Sequence, residues 1–305
     1  MGQVLANGLS GVVSAPMPSS ENPAASPPPI AVTHAGRRTL LKWHRARRRP
    51  SDTPFTASRI VEALRVGASV EVDLLIHADR GFAMLHDRDI THATTGRGDI
   101  AQASASYLRG LRLRDATGTP TDENVVLLED LATLLDDVDV ASHAMLQLDF
   151  KEDAAALDEA AVDVFAQAVA PFADNAILSC GDADAVRVLC DAAPGIHVGY
   201  DPCHRGAARR ALRSEDFRGF VFTACRDSPR AEMIYLDHGL VLGAAELGAD
   251  VIAAFHAMGR RVDVYTLPHA DNSSVARLVR LVERGADQIT TDDPDGFVQE
   301  WYGRG

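Results

Sequence analysis

From residue 29 onward, short apolar and β-branched runs alternate with longer stretches whose apolar residues recur every three or four positions. The short runs predict strands at IAVTH (30–34), SVEVDLL (69–75), AMLQLDF (144–150), AILSC (176–180), IHVGY (196–200), MIYLD (233–237), RVDVYTL (261–267) and DQITTD (287–292). Helical periodicity marks the segments between them, among them TASRIVEALRVG (56–67), LLEDLATLLDDV (127–138) and NSSVARLVRLVERGA (272–286). In the last of these Val275, Leu278, Val279 and Val282 define one face. Gly67, Gly259 and Gly285 each follow a helical run and precede a strand, as helix-ending glycines do. Strand–helix alternation predicts a parallel sheet with crossover helices, and eight units over about 275 residues suit a (β/α)8 barrel. An open doubly wound sheet would alternate similarly; the count of eight and the polar residues at strand ends favour closure.

One unit breaks the rhythm. GFAMLHD (81–87) follows DLLIHADR too closely for a parallel crossover, so a hairpin or loop excursion is expected after the second strand. Residues 1–28 are rich in Ser, Pro, Ala and Gly and are expected to form a disordered tail, leaving residues 29–305 as one domain. That tail lacks a basic n-region and a sustained apolar stretch, and Ala6 stands where a myristoylation signal needs Ser or Thr. No run approaches the ~18 apolar residues of a membrane span, so a cytoplasmic address is the expectation. The formal net charge of −13 argues against a nucleic-acid partner. Four cysteines form no C-x-x-C pair and are expected as buried or free thiols.

Chemistry enters through ionisable residues near strand ends. Glu71 and Asp73 sit two apart in an apolar strand and therefore share a face, as do Asp149 and Lys151. If these strands are neighbours, Glu71, Asp73 and Asp149 converge. Three carboxylates in a dry site repel one another unless a cation joins them, and all-oxygen ligation suits Mg2+, Ca2+ or Mn2+. His34, at the end of the first predicted strand, and His86 in the excursion are candidates for proton transfer beside that cation.

With these residues in view, the chain resembles the glycerophosphodiester phosphodiesterases. That family carries His-Arg-Gly after strand one, an Asn-Thr-containing turn, Glu-x-Asp, an Asp-Gly turn into a strand ending His-Asp, Arg-x-Thr-x-Gly-x-Gly, Glu-x-Lys, an aromatic-Thr strand and Thr-Asp-x-Pro. Read in order, the matching elements are His34-Ala35-Gly36, Asp52-Thr53, Glu71-Val72-Asp73, Asp79-Arg80-Gly81, His86-Asp87, Thr94 to Gly98, Asp149-Phe150-Lys151, Tyr265-Thr266 and Thr291 to Pro294. The resemblance implies a TIM barrel that hydrolyses glycerophosphodiesters, small-molecule substrates, to glycerol 3-phosphate and an alcohol. It implies one divalent cation on Glu71, Asp73 and Asp149, His34 and His86 as acid and base, and Lys151 against the phosphoryl group. Two departures stand out: Ala35 replaces the family's arginine, with Arg37 and Arg38 expected to substitute, and Asp149 replaces a glutamate.

Two other readings share this barrel: a phospholipase D-like enzyme acting on lysophospholipids, and a catalytically weakened barrel that binds phosphate ligands. The stretch RRTLLKWHRARRRPS (37–51) reads as a long basic loop that could touch an anionic lipid surface. The sequence does not specify the oligomeric state.

Overall fold

The computed structural model describes residues 28–303; the expected N-terminal tail lies, except for Pro28, outside the described residues. Twelve strands run through it: β1 (Ala31–His34), β2 (Arg37–Trp43), β3 (Ser69–Ile76), β4 (Phe82–Met84), β5 (Arg112–Arg114), β6 (Pro120–Asn124), β7 (Met145–Phe150), β8 (Ala176–Cys180), β9 (His197–Tyr200), β10 (Met233–Asp237), β11 (Arg261–Leu267) and β12 (Gln288–Thr291). Eight of them, β2, β3 and β7 to β12, are parallel and pair in sequence order. The ring closes between β2 and β3 at Trp43 and Val70, giving an α/β TIM barrel.

Seven of the eight barrel strands lie where the hydrophobic pattern predicts them, and the first does not. IAVTH is β1, which turns back antiparallel on β2, with His34 opposite Arg37. Barrel strand one is instead β2, inside the stretch expected to be a basic loop. Its alternation explains the disguise. Thr39, Leu41 and Trp43 share one face, while Leu40 and Lys42 share the other and line the barrel interior. A lysine in the middle of an apolar run reads as surface, yet Lys42 is buried.

Barrel strands are covered on both faces, so β3 is buried at every position. Val70, Val72 and Leu74 face the helices and join the main apolar cluster, with Leu146 and Leu148 of β7. The turn from the first outer helix (Ala57–Val66) into β3 needs Gly67: its φ is +78° and a Cβ there would strike the His143 ring at 2.2 Å.

The expected excursion after β3 is present. β4 returns antiparallel to β3, with Leu74 opposite Met84, and the chain continues through a short helix (Ala105–Arg109) and the β5–β6 hairpin. A second apolar cluster, including Leu75, Leu85, Ile90, Ile100, Leu108, Leu113 and Leu127, holds this segment together. Among the described residues, no single helix is long and apolar enough to cross a membrane, and all four cysteines are free.

Candidate active site

Register assembles the acidic cluster. β3 and β7 are parallel neighbours that set Asp73 opposite Asp149 and Glu71 opposite Gln147. Ligand oxygens of Glu71, Asp73 and Asp149 come within 4.8 Å of one another. Glu71 and Asp73 are buried; Asp149 is partly so.

The three carboxylates are held differently. Burial raises the pKa of Glu71, but His44, Lys151 and Lys42, together with a 2.7 Å hydrogen bond from the Arg45 amide, outweigh it and bring it down to about 2. Asp73 goes the other way: burial, then repulsion from Glu71, holds it well above the ordinary carboxylate range despite Lys151. Neither oxygen of Asp73 has a hydrogen bond, although Lys151 Nζ lies at 2.6 Å and Arg45 Nε at 3.2 Å. Lys151 also contacts Asp149 Oδ2, so its ammonium bridges two of the three carboxylates. A buried carboxylate without hydrogen bonds, inside a ring of hard oxygen donors, fits a divalent cation of the Mg2+, Ca2+ or Mn2+ kind.

His44 and Arg45 follow directly on β2 and stand over this cluster. His44 Nδ1 meets Asp292 Oδ1 at 2.6 Å, and its Nε2 lies 4.0 Å from Glu71. Asp292, just past β12, also receives Arg47 at 2.6 Å. The backbone turns sharply here, with Arg45 and Ala46 both at positive φ (53° and 55°), which swings the Arg45 side chain back to Asp73. His86, from the excursion, pairs through Nδ1 with Asp87 at 2.7 Å. Burial lowers its pKa first and the Arg45 cation next, with Lys151 contributing.

The pocket over the cluster is a cavity of about 320 Å3. Its far wall is Asp201, His204, Tyr265 and Thr266. The Tyr265 hydroxyl donates to Asp201 at 2.8 Å, and His204 Nε2 lies 3.0 Å from the same carboxylate. That hydrogen bond raises the pKa of His204 despite its partial burial.

Of the residues singled out in the sequence, Glu71, Asp73, Asp149 and Lys151 come together, and His86 is near enough for Arg45 and Lys151 to depress its pKa. His34, Arg37 and Arg38 do not, and this corrects their expected place. They sit at the β1–β2 turn, at the N-terminal end of the barrel, where His34 packs edge-on against Trp301 and Arg37 pairs with Asp287. The length of β2, roughly 20 Å at ~3.3 Å per residue, separates them from the carboxylates. The basic run is also largely committed: Arg47, Arg48, Arg49 and Arg59 face Asp292, Glu62, Asp295 and Asp52. Sequence reasoning missed His44, Arg45, Asp292, Asp201 and His204. For the first two a signal existed: residues 37–51 were too long for a loop, and LLKW before His44 is itself a strand-like run.

Comparison with known proteins agrees with the barrel fold. The family model described as the glycerophosphoryl diester phosphodiesterase family matches residues 56–296. The match begins downstream of His44 and Arg45. Among solved structures, the chain is similar to a glycerophosphoryl diester phosphodiesterase from Parabacteroides distasonis (18% identity, 89% of this chain and 88% of that one, TM-score 0.61). It is also similar to a glycerophosphodiester phosphodiesterase, so named provisionally, from Galdieria sulphuraria (15%, 87% and 98%, TM-score 0.67). A third is an Oleispira antarctica phosphodiesterase in complex with the product sn-glycerol-3-phosphate (15%, 86% and 96%, TM-score 0.60). Likeness at this identity speaks for the fold alone. No curated protein matches the chain.

Proposed function

From the premise that this chain belongs to the glycerophosphoryl diester phosphodiesterase family and is a phosphoric diester hydrolase, we propose that it hydrolyses glycerophosphodiesters with His44 and His86 as its proton-transfer pair. The observation that carries the reading is one cluster, Glu71, Asp73 and Asp149, approached by His44, which like His86 is held at Nδ1 by an aspartate. An aspartate on Nδ1 fixes the tautomer and leaves Nε2 for the substrate.

His86, whose pKa is lowered by burial and by Arg45, suits the base. Its Nε2 takes the proton of the attacking water as the new P–O bond forms. Where the substrate's own neighbouring hydroxyl attacks instead, the product is a cyclic phosphate, which a water then opens to glycerol 3-phosphate by the same proton transfers in reverse. His44 Nε2 returns a proton to the departing alcohol oxygen as the old P–O bond breaks. Arg45 and Lys151 supply positive charge to the phosphoryl oxygens, where electrostatic stabilisation does most in a site shielded from water. Glu71, Asp73 and Asp149 would hold a divalent cation, which when bound neutralises charge on the phosphoryl group. In this reading Arg45 fills the role that the sequence seemed to lack at Ala35, which removes the main ground for a weakened barrel.

The test offers purified protein glycerophosphocholine, glycerophosphoethanolamine and lysophosphatidylcholine with Mg2+, Ca2+ or Mn2+, and with EDTA. Cation-dependent release of glycerol 3-phosphate from the first two is expected. Turnover that survives EDTA, or that is confined to the lysolipid, would overturn the assignment.

A further inference from the structure

The interior of a (β/α)8 barrel is ordinarily filled with bulky apolar side chains. Here a polar chain runs through it beneath the acidic cluster. Asp263, fully buried on β11, accepts hydrogen bonds from Gln288 Nε2 and Thr290 Oγ1, both at 2.6 Å, and pairs with Lys42 Nζ at 3.1 Å. Lys42 then contacts Gln147 Oε1 and lies 4.3 Å from the centre of the Tyr235 ring. Gln147 Nε2 donates to Ser179 Oγ at 2.7 Å, and Ser179 Oγ donates to Asp149 Oδ1 at 2.6 Å. Parallel register puts the last two groups side by side, Ser179 directly opposite Asp149.

The chain can run in one sense only. An ammonium has donors and no acceptor, so it takes the carbonyl end of Gln147. That choice turns the amide NH2 toward Ser179, which leaves the serine proton for a carboxylate that can only accept. Burial makes every link costly to leave unmade. One oxygen of Asp149 is thereby occupied by Ser179, while Lys151, the cation beside the cluster, meets the other, Oδ2.

We propose that Lys42, Gln147 and Ser179 form a positioning relay that fixes the Asp149 carboxylate so that Oδ2 faces the cation site. The inference rests on the reading of Glu71, Asp73 and Asp149 as cation ligands. It concerns three residues outside the carboxylate cluster, of which Lys42 and Gln147 also line the floor of the pocket.

The test is calorimetric titration of metal-free protein with Mn2+, which reads affinity without turnover. Ser179→Ala removes one hydroxyl and is expected to weaken Mn2+ binding by about 10- to 100-fold, the range for lost outer-shell partners; Ser179→Thr, which restores the hydroxyl, is expected to recover most of it. Gln147→Glu supplies a sign test. An added negative charge near a cation should strengthen binding if electrostatics alone matters. The relay predicts weaker binding, because a carboxylate at 147 takes the serine proton and leaves Asp149 Oδ1 without its donor. Unchanged affinity in Ser179→Ala, or tighter binding in Gln147→Glu, overturns the relay while the cation site stands. No Mn2+ binding by the unsubstituted protein overturns both.

Discussion

Two short segments ten residues apart, His34-Ala35-Gly36 and His44-Arg45-Ala46, look interchangeable in sequence and lie at opposite ends of one strand. The first turns β1 into β2 at the N-terminal end of the barrel, exposed beside Trp301. The second leaves β2 at the C-terminal end, where His44 approaches Glu71 and Asp292 and Arg45 reaches Asp73. Local composition does not separate them; position relative to the strand does. In a parallel barrel only the C-terminal ends of the strands share the face that gathers side chains from several units.

The largest expected consequence is catalytic. His44→Ala should lower kcat for a glycerophosphodiester by about 10²- to 10⁴-fold, the usual contribution of a proton-transfer residue, while His34→Ala should leave it within roughly twofold. Steady-state rates on the two variants check this, and equal losses would erase the contrast.

Arg45→Ala comes next, with a loss of about 10- to 100-fold in kcat/KM from a missing charge-assisted contact. It carries a pH signature as well. Arg45 is second only to burial in depressing the pKa of His86, so removing it raises that pKa. A neutral base is lost as pH falls through its pKa, so the acid limb of the rate profile should move to higher pH in Arg45→Ala. Arg37→Ala, at the other end of β2, should move neither quantity.

The smallest effect runs opposite to function. Burial and Glu71 disfavour charge on Asp73, so Asp73→Asn should stabilise the metal-free protein, by roughly 2 °C in Tm for a gain on the order of 1 kcal/mol, while removing Mn2+ affinity. Thermal melts with and without Mn2+ read both. A lower Tm in the absence of metal would show that Asp73 is held by Lys151 and Arg45 more than it is strained.

Much of this was legible in the residues. Seven barrel strands followed from apolar runs bounded by helix-ending glycines, and the convergence of Glu71, Asp73 and Asp149 followed from period-two alternation on adjacent strands. What misled was one buried charge. Lys42 faces a polar interior, where Asp263, Gln147 and Tyr235 receive it, and a lysine in LLKW made the true first strand read as part of a basic loop. The partnership of Asp292 with His44 spans 248 residues, and that of Tyr265 with Asp201 spans 64. Such contacts exist only once the ring closes, so periodicity carries no trace of them.

The central claim is that the cation and the chemistry lie at the His44 end of β2. Mn2+ broadens nearby nuclear resonances with the inverse sixth power of distance, so a titration followed on assigned imidazole signals locates it. The account predicts that His44 and His86 broaden at the lowest Mn2+ additions while His34, a strand's length away, stays sharp. Broadening of His34 first would contradict it.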